Sequence, residues 1–199
     1  MMMRKETTMI NKGMSGLLLL VACIGLTVAG IGLGYSEEEG GEGYRGGIFA
    51  STPDMAPVRN QAYASECGGC HFAYQPGWLP ARSWAKIMAT LDDHFGENAE
   101  LSPAKQAEIG AYLAANAADV APSRLSHRIM RSLRAGDVPL RISGISYIRR
   151  EHRGIPDRMI AGNAKVGSRS NCLACHTQAK AGYFDEDGVS IPGFGRWDD

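Results

Sequence analysis

The chain has 199 residues, with 21 Lys and Arg against 21 Asp and Glu, so its formal charge is zero. That balance excludes the overall basic signature of a nucleic-acid binder. The length allows one or two small domains with modest protein cores, and 5 Cys with 5 His are the groups whose placement has to be explained.

The first element is a leader. Arg4, Lys5 and Lys12 precede an uncharged run over residues 13–36. Its apolar span of roughly 20 residues is long enough to cross a bilayer. The flanking charges predict that the N-terminal end stays in the cytoplasm and that the rest faces the periplasm. Two other readings stay open. Thr27-Val28-Ala29 is a passable signal-cleavage site, and Leu20-Val21-Ala22-Cys23 has the form of a bacterial lipobox that would lipidate Cys23. Residues 1–35 are therefore read as an anchor or signal segment. Residues 36–55, rich in Glu and Gly, are read as a flexible acidic tether.

A short helix over residues 58–66 runs into Cys67-Gly68-Gly69-Cys70-His71. This is the C-x-x-C-H signature of covalently attached c-type haem. Two thiols about one helical turn apart reach the two vinyl groups of one porphyrin, and the adjacent imidazole lies beneath the iron. The Gly68-Gly69 pair fits close approach of the backbone to the porphyrin. Pro76-Gly77 and Pro80 then break the chain. Apolar residues at Trp84, Ile87, Met88 and Leu91 predict a helix over residues 81–93. Ser102 as N-cap with Pro103 behind it opens another, reaching about Ala117, with Ile109, Tyr112 and Leu113 on one face. His94, at a helix end before Gly96, is the candidate sixth ligand to the first iron, and Met88 competes with it. Met88 also fits the apolar stripe of its helix, where a core role is expected.

Ser123 opens a helix through Leu125, Ile129, Met130 and Leu133 to Ala135-Gly136. His127 lies in it among Arg124, Arg128 and Arg131, a setting that suits solvent exposure better than ligation. Ile145, Ile148 and His152 fall on one side of the next helical stretch, which makes His152 the candidate sixth ligand to a second iron. Arg149, Arg150 and Arg153 stand beside it as possible partners for haem propionates. The second C-x-x-C-H is Cys172-Leu173-Ala174-Cys175-His176. A zinc site or a redox dithiol explains a lone C-x-x-C. Two copies, each followed by His, behind an export leader, point to two haems. Asp185, Glu186 and Asp187 lack the loop pattern of a calcium site and read as an acidic turn.

The first helix, motif, loop and closing helix resemble a class I cytochrome c domain. More specifically, Glu66 to His71, the His94-Phe95-Gly96 turn, Arg150 to Arg153, and Asn171 to His176 with Tyr183 to Glu186 resemble the bacterial dihaem cytochrome c family. The resemblance spans about residues 62–192. It implies a mostly α protein with a class I-like haem domain (56–121) and a less regular helical haem domain (122–199). It further implies bis-histidine haems that carry electrons, with a small oxygen-binding haem protein among the relatives' partners.

The expectation is a membrane-tethered electron carrier with two covalent haem c groups. Cys67, Cys70, Cys172 and Cys175 attach them. His71 and His176 are proximal ligands, and His94 and His152 distal. The leader adds a membrane cytochrome b or a membrane-bound redox complex as an expected partner. The rivals are a dihaem peroxidase or small-ligand-binding haem protein with one open iron, and a haem subunit of a larger respiratory or photosynthetic complex.

Overall fold

The computed structural model describes residues 52–121 and 123–197. The leader, most of the tether and Cys23 lie outside the described residues. All described residues fall in one compact unit, residues 47–199. Among them no helix is long and apolar enough to cross a membrane.

Five α-helices carry the fold: α1 (Gln61–Glu66), α2 (Ala81–Met88), α3 (Pro103–Ala115), α4 (Arg124–Ser132) and α5 (Ser146–Glu151). Their starts follow local chemistry. Asn60 accepts from the Tyr63 amide, Ser102 from that of Lys105, and Ser123 from that of Ser126. Each side chain satisfies a backbone donor that the first turn leaves unpaired. Asn60 therefore starts α1 three residues later than the apolar pattern implied.

The helix expected over residues 81–93 stops at Met88. Its C-terminal carbonyl is capped from outside, because Gln106 of α3 donates its side-chain N–H to the Met88 oxygen at 2.6 Å. With that end satisfied, the chain turns at Thr90 and re-forms as a single 3-10 turn, Leu91–Asp93. Leu91 still enters the core. The helix expected to reach Ala135-Gly136 likewise ends early, at Ser132. Leu133 is extended and packs inward, while Asp137 accepts from the Arg134 amide.

The larger core joins Tyr63 of α1, Trp84 and Ile87 of α2, Ile109 and Leu113 of α3, Leu125 and Ile129 of α4, and Ile145 with Tyr147 at α5. It thus draws on helices from both sides of residue 121. Each such side chain, fully buried, contributes about 1.5–3 kcal/mol of transfer free energy. A smaller cluster of Ile155, Met159, Ile160, Val166 and Ile191 sits in the C-terminal part. There the chain is mostly turns, closed by a two-stranded antiparallel ladder of β1 (Ser190–Ile191) and β2 (Gly195–Arg196), with Ser190 opposite Arg196.

The C-terminal part is strapped to the N-terminal part by backbone and side-chain bonds. The Met55 amide donates to the Gly182 carbonyl at 3.1 Å, and the Phe184 amide donates to the Asp54 carboxylate at 2.9 Å. Buried Gln75 donates to the Ala179 carbonyl and accepts from the Trp78 indole. Gly182 sits at φ +90°, and a Cβ there would meet the Met55 carbonyl oxygen at 1.9 Å. Only glycine fits at that crossing.

Candidate functional site

A cavity of about 1250 Å³ runs between the helices and the C-terminal turns. It is lined by Cys67, Cys70 and His71 of the first motif and by Cys172, Cys175 and His176 of the second. Its volume exceeds the roughly 300–1,000 Å³ of a single small-molecule site. Two further histidines line it, His94 and His152.

The histidines stand in two facing pairs. The His71 and His94 rings have their centroids 6.1 Å apart with planes 21° from parallel. The His152 and His176 rings are also 6.1 Å apart, with planes at 65°. Neither pair is in van der Waals stacking, so each leaves a gap. Two metal–imidazole bonds of about 2.0 Å, with about 1.1 Å from each nitrogen to its ring centre, span roughly 6 Å. The ring separations match that span, so His71 with His94 and His176 with His152 are the residues that would hold an iron each.

The local folds that aim these rings differ. His71 follows the turn that continues α1, and its Nδ1 lies 2.7 Å from the Phe72 carbonyl oxygen. A carbonyl only accepts, so Nδ1 carries the proton and Nε2 keeps the lone pair a metal needs. His152 caps α5, and its Nδ1 makes the same bond to the Ile148 carbonyl at 2.8 Å. His94 is held by its backbone, whose amide donates to Glu97 O at 2.8 Å. The next residue, Phe95, is in the left-handed region at φ 61°, with Arg141 over its ring at 4.0 Å. Burial, then His71, then Arg141 lower the His94 pKa.

His176 is partly buried. Its Nδ1 is buried without a hydrogen-bond partner. Burial, reinforced by His152, pushes its pKa down to about 4. In His94 and His176 burial favours the neutral imidazole, the form that ligates iron. Each pair thus has one ring fixed by an Nδ1 bond, His71 or His152, and one without such a bond among the described residues.

Cys67 and Cys70 line the cavity together with His71, and Cys172 and Cys175 with His176. Burial, then Glu66, pushes the Cys67 thiol up to about 11, and burial pushes Cys172 to about 11. Such thiols stay protonated at neutral pH, unlike the low-pKa thiolates of redox dithiols. Among the described residues no three His, Cys, Asp or Glu side chains gather as a metal cage. A porphyrin supplies four of an iron's six ligands itself, so facing His pairs suffice where a zinc site would need more.

Two competing residues fall elsewhere. Met88 is buried at 7% exposure within the larger core, although it borders the cavity. His127 is exposed on α4 and outside the cavity. The glycine pair also behaves differently from its reading as a porphyrin approach. A Cβ on Gly68 would meet the Ala64 carbonyl oxygen at 2.1 Å, while one on Gly69 would meet nothing closer than 3.5 Å. Gly68 is therefore constrained by its own helix end.

Sequence reasoning missed Tyr74. Its ring lies 5.4 Å from that of His71, and its hydroxyl donates to the Ser170 carbonyl at 2.7 Å. Burial, then Cys172, raises its pKa to about 12. The only local signal was an aromatic residue three positions after the motif histidine.

Residues 63–184 match the dihaem cytochrome c family. The chain is similar to the structure of a dihaem cytochrome c from Shewanella baltica OS155 at 44% identity and a TM-score of 0.59, covering 70% of this chain and 98% of that one. It is also similar to a dihaem cytochrome c from Rhodobacter sphaeroides at 42% identity and a TM-score of 0.58, covering 65% of this chain and all of that one. No match was found among curated proteins. The chain belongs to the dihaem cytochrome c family and carries two covalently bound haem c groups with iron.

Proposed function

We propose that the protein passes electrons between redox partners through two six-coordinate haems, each closed by two histidines. Cys67 and Cys70 attach the first haem, between His71 and His94. Cys172 and Cys175 attach the second, between His176 and His152. The observation that carries this reading is the equal 6.1 Å separation of the two ring pairs, the span that one bis-imidazole iron requires.

The haem supplies one-electron chemistry when bound. The residues of this chain do the rest. His71 and His152 keep their protons on Nδ1, bonded to carbonyls, which presents Nε2 and stops the rings from rotating. The partly buried surroundings of His176 keep the imidazole neutral at working pH. With both faces of each iron held by protein, no position is left for peroxide or another small ligand. That favours a carrier over a peroxidase. Two imidazoles stabilise Fe(III) more than an imidazole and a thioether do, so both potentials are expected to be low.

The basic apolar leader supports a tether at the periplasmic face of the inner membrane, with cleavage or lipidation at Cys23 as the other fates. A membrane cytochrome b or a small oxygen-binding haem protein fits as partner. Electron paramagnetic resonance of the ferric protein tests the central claim. Two low-spin centres, and no carbon monoxide binding to the reduced protein, are expected. A high-spin centre in the native protein would overturn it.

A further inference from the structure

The two haem attachment loops are far apart in sequence, yet one side chain joins them. The Tyr74 ring lies 5.4 Å from the ring of His71, tilted by 35°. Its hydroxyl donates to the Ser170 carbonyl oxygen at 2.7 Å, across 96 residues of sequence. Cys172 Sγ lies 3.7 Å from that same oxygen. A short path therefore leads from the proximal imidazole of the first site, through a phenol and one shared carbonyl, to the attachment sulfur of the second.

Tyr74 is itself fixed from both sides. Buried Tyr63, four residues before Cys67, donates its hydroxyl to the Tyr74 carbonyl at 2.6 Å. Phe72 packs against the Tyr74 ring edge to face, with centroids 5.1 Å apart. On the far side, the Ser170 hydroxyl lies 3.2 Å from that of Ser143, just ahead of α5. A second cavity, of about 430 Å³, lies beside this bridge, bordered by Gly68 and His71 of the first site and Leu173 of the second. The Tyr74 hydroxyl thus supplies a direct hydrogen bond between the two loops, beside the straps at Ala179, Gly182 and Phe184.

We propose that Tyr74 is the positioning residue that couples the two haem sites, holding the second attachment loop at the spacing and orientation at which electrons exchange with the first. This rests on the reading of both haems as closed relay sites. Tunnelling between two centres depends steeply on their separation and mutual orientation. A residue that spans both loops sets both quantities without touching iron.

The test uses the holoprotein and its Tyr74→Phe and Tyr63→Phe variants. Interhaem electron exchange is read by nuclear magnetic resonance saturation transfer at half reduction. Amide hydrogen exchange is read at Cys175 and His176. Losing one hydrogen bond makes opening of the loop about fivefold more populated. Tyr74→Phe is therefore expected to lose about fivefold of the amide protection and to slow interhaem exchange, with both haems still attached and low-spin. Tyr63→Phe, which frees the other end of the bridge, is expected to give a smaller change of the same sign, and it carries the test if Tyr74→Phe fails to take up haem. Unchanged exchange between two low-spin haems in the variants overturns the role of Tyr74, even if the melting temperature falls. A wild-type protein with a high-spin haem overturns the relay reading instead.

Discussion

The first motif contains its own control experiment, because two adjacent glycines meet different surroundings. In Gly68→Ala the new methyl would lie 2.1 Å from the Ala64 carbonyl oxygen and 3.3 Å from its carbon. Those atoms are backbone at the end of α1, so the loop must move by about 1 Å to reach an ordinary contact. The Gly68 amide donates to that same oxygen at 3.1 Å, and the shift breaks this bond, at about 1 kcal/mol. Overpacking adds about 1–3 kcal/mol. The sum of about 2–4 kcal/mol corresponds to a fall in melting temperature of roughly 10 °C for a domain of this size. In Gly69→Ala the nearest atom is 3.5 Å away, an ordinary contact. That variant is expected to melt within about 2 °C of wild type, since alanine also restricts the unfolded chain. Thermal unfolding of the haem-loaded variants, followed at the Soret band with haem content measured alongside, reads both. Equal behaviour of the two variants would refute the helix-end account of Gly68.

Three further outcomes are expected. The imidazole planes differ by 21° in one pair and 65° in the other, so the ferric protein should give one rhombic and one highly anisotropic low-spin signal; two indistinguishable signals would contradict the ring geometry. Iron on the ring removes His176 from titration, but with the iron taken out of the porphyrin it takes its proton near 6.5 when unfolded and at about 4 when folded. The unfolded state then binds more protons in between, so stability present above pH 6.5 is lost as pH falls towards 4; a melting temperature of the iron-free porphyrin protein that stays flat across that range would count against the buried neutral ring. Residues 124–169 hold eleven Lys and Arg against three Asp and Glu, and Arg131, Arg149 and Arg153 are exposed with no ion pair among the described residues. Electron transfer with an acidic redox partner should slow as salt rises and slow further in Arg149→Glu, whereas salt-independent rates would place docking elsewhere.

Much of the site was readable because its chemistry is local. The C-x-x-C-H spacing located both attachment loops, and the caps at Ser102 and Ser123 located α3 and α4. Ile145, Ile148 and His152 share a face as their spacing implied, with Ile145 buried and His152 turned to His176. Helix ends were less legible, since the stop of α2 at Met88 depends on Gln106, eighteen residues away. The left-handed Phe95 beside His94 has no sequence signal of its own. From Ile155 onward, periodicity says little. Apolar side chains that pack on a flat cofactor and on scattered turns need follow neither a helical nor a strand repeat.

The long-range bonds explain why two sites share one fold. A chain segment dominated by 3-10 turns buries little apolar surface of its own, and its cluster of five buried residues is small. Such a segment needs outside support to stay ordered. Here the support comes from haem attachment and from contacts with the helical part. Gln75 reaches Ala179, Asp54 reaches Phe184, and Phe184 in turn packs edge to face on Trp78 at 4.7 Å while standing 5.5 Å from His176. His176 is thus backed by an aromatic ring that rests on the larger core. Stability and electron-transfer geometry are then set by the same contacts. A change that loosens the helical part at Trp78 is therefore expected to reach His176 through Phe184.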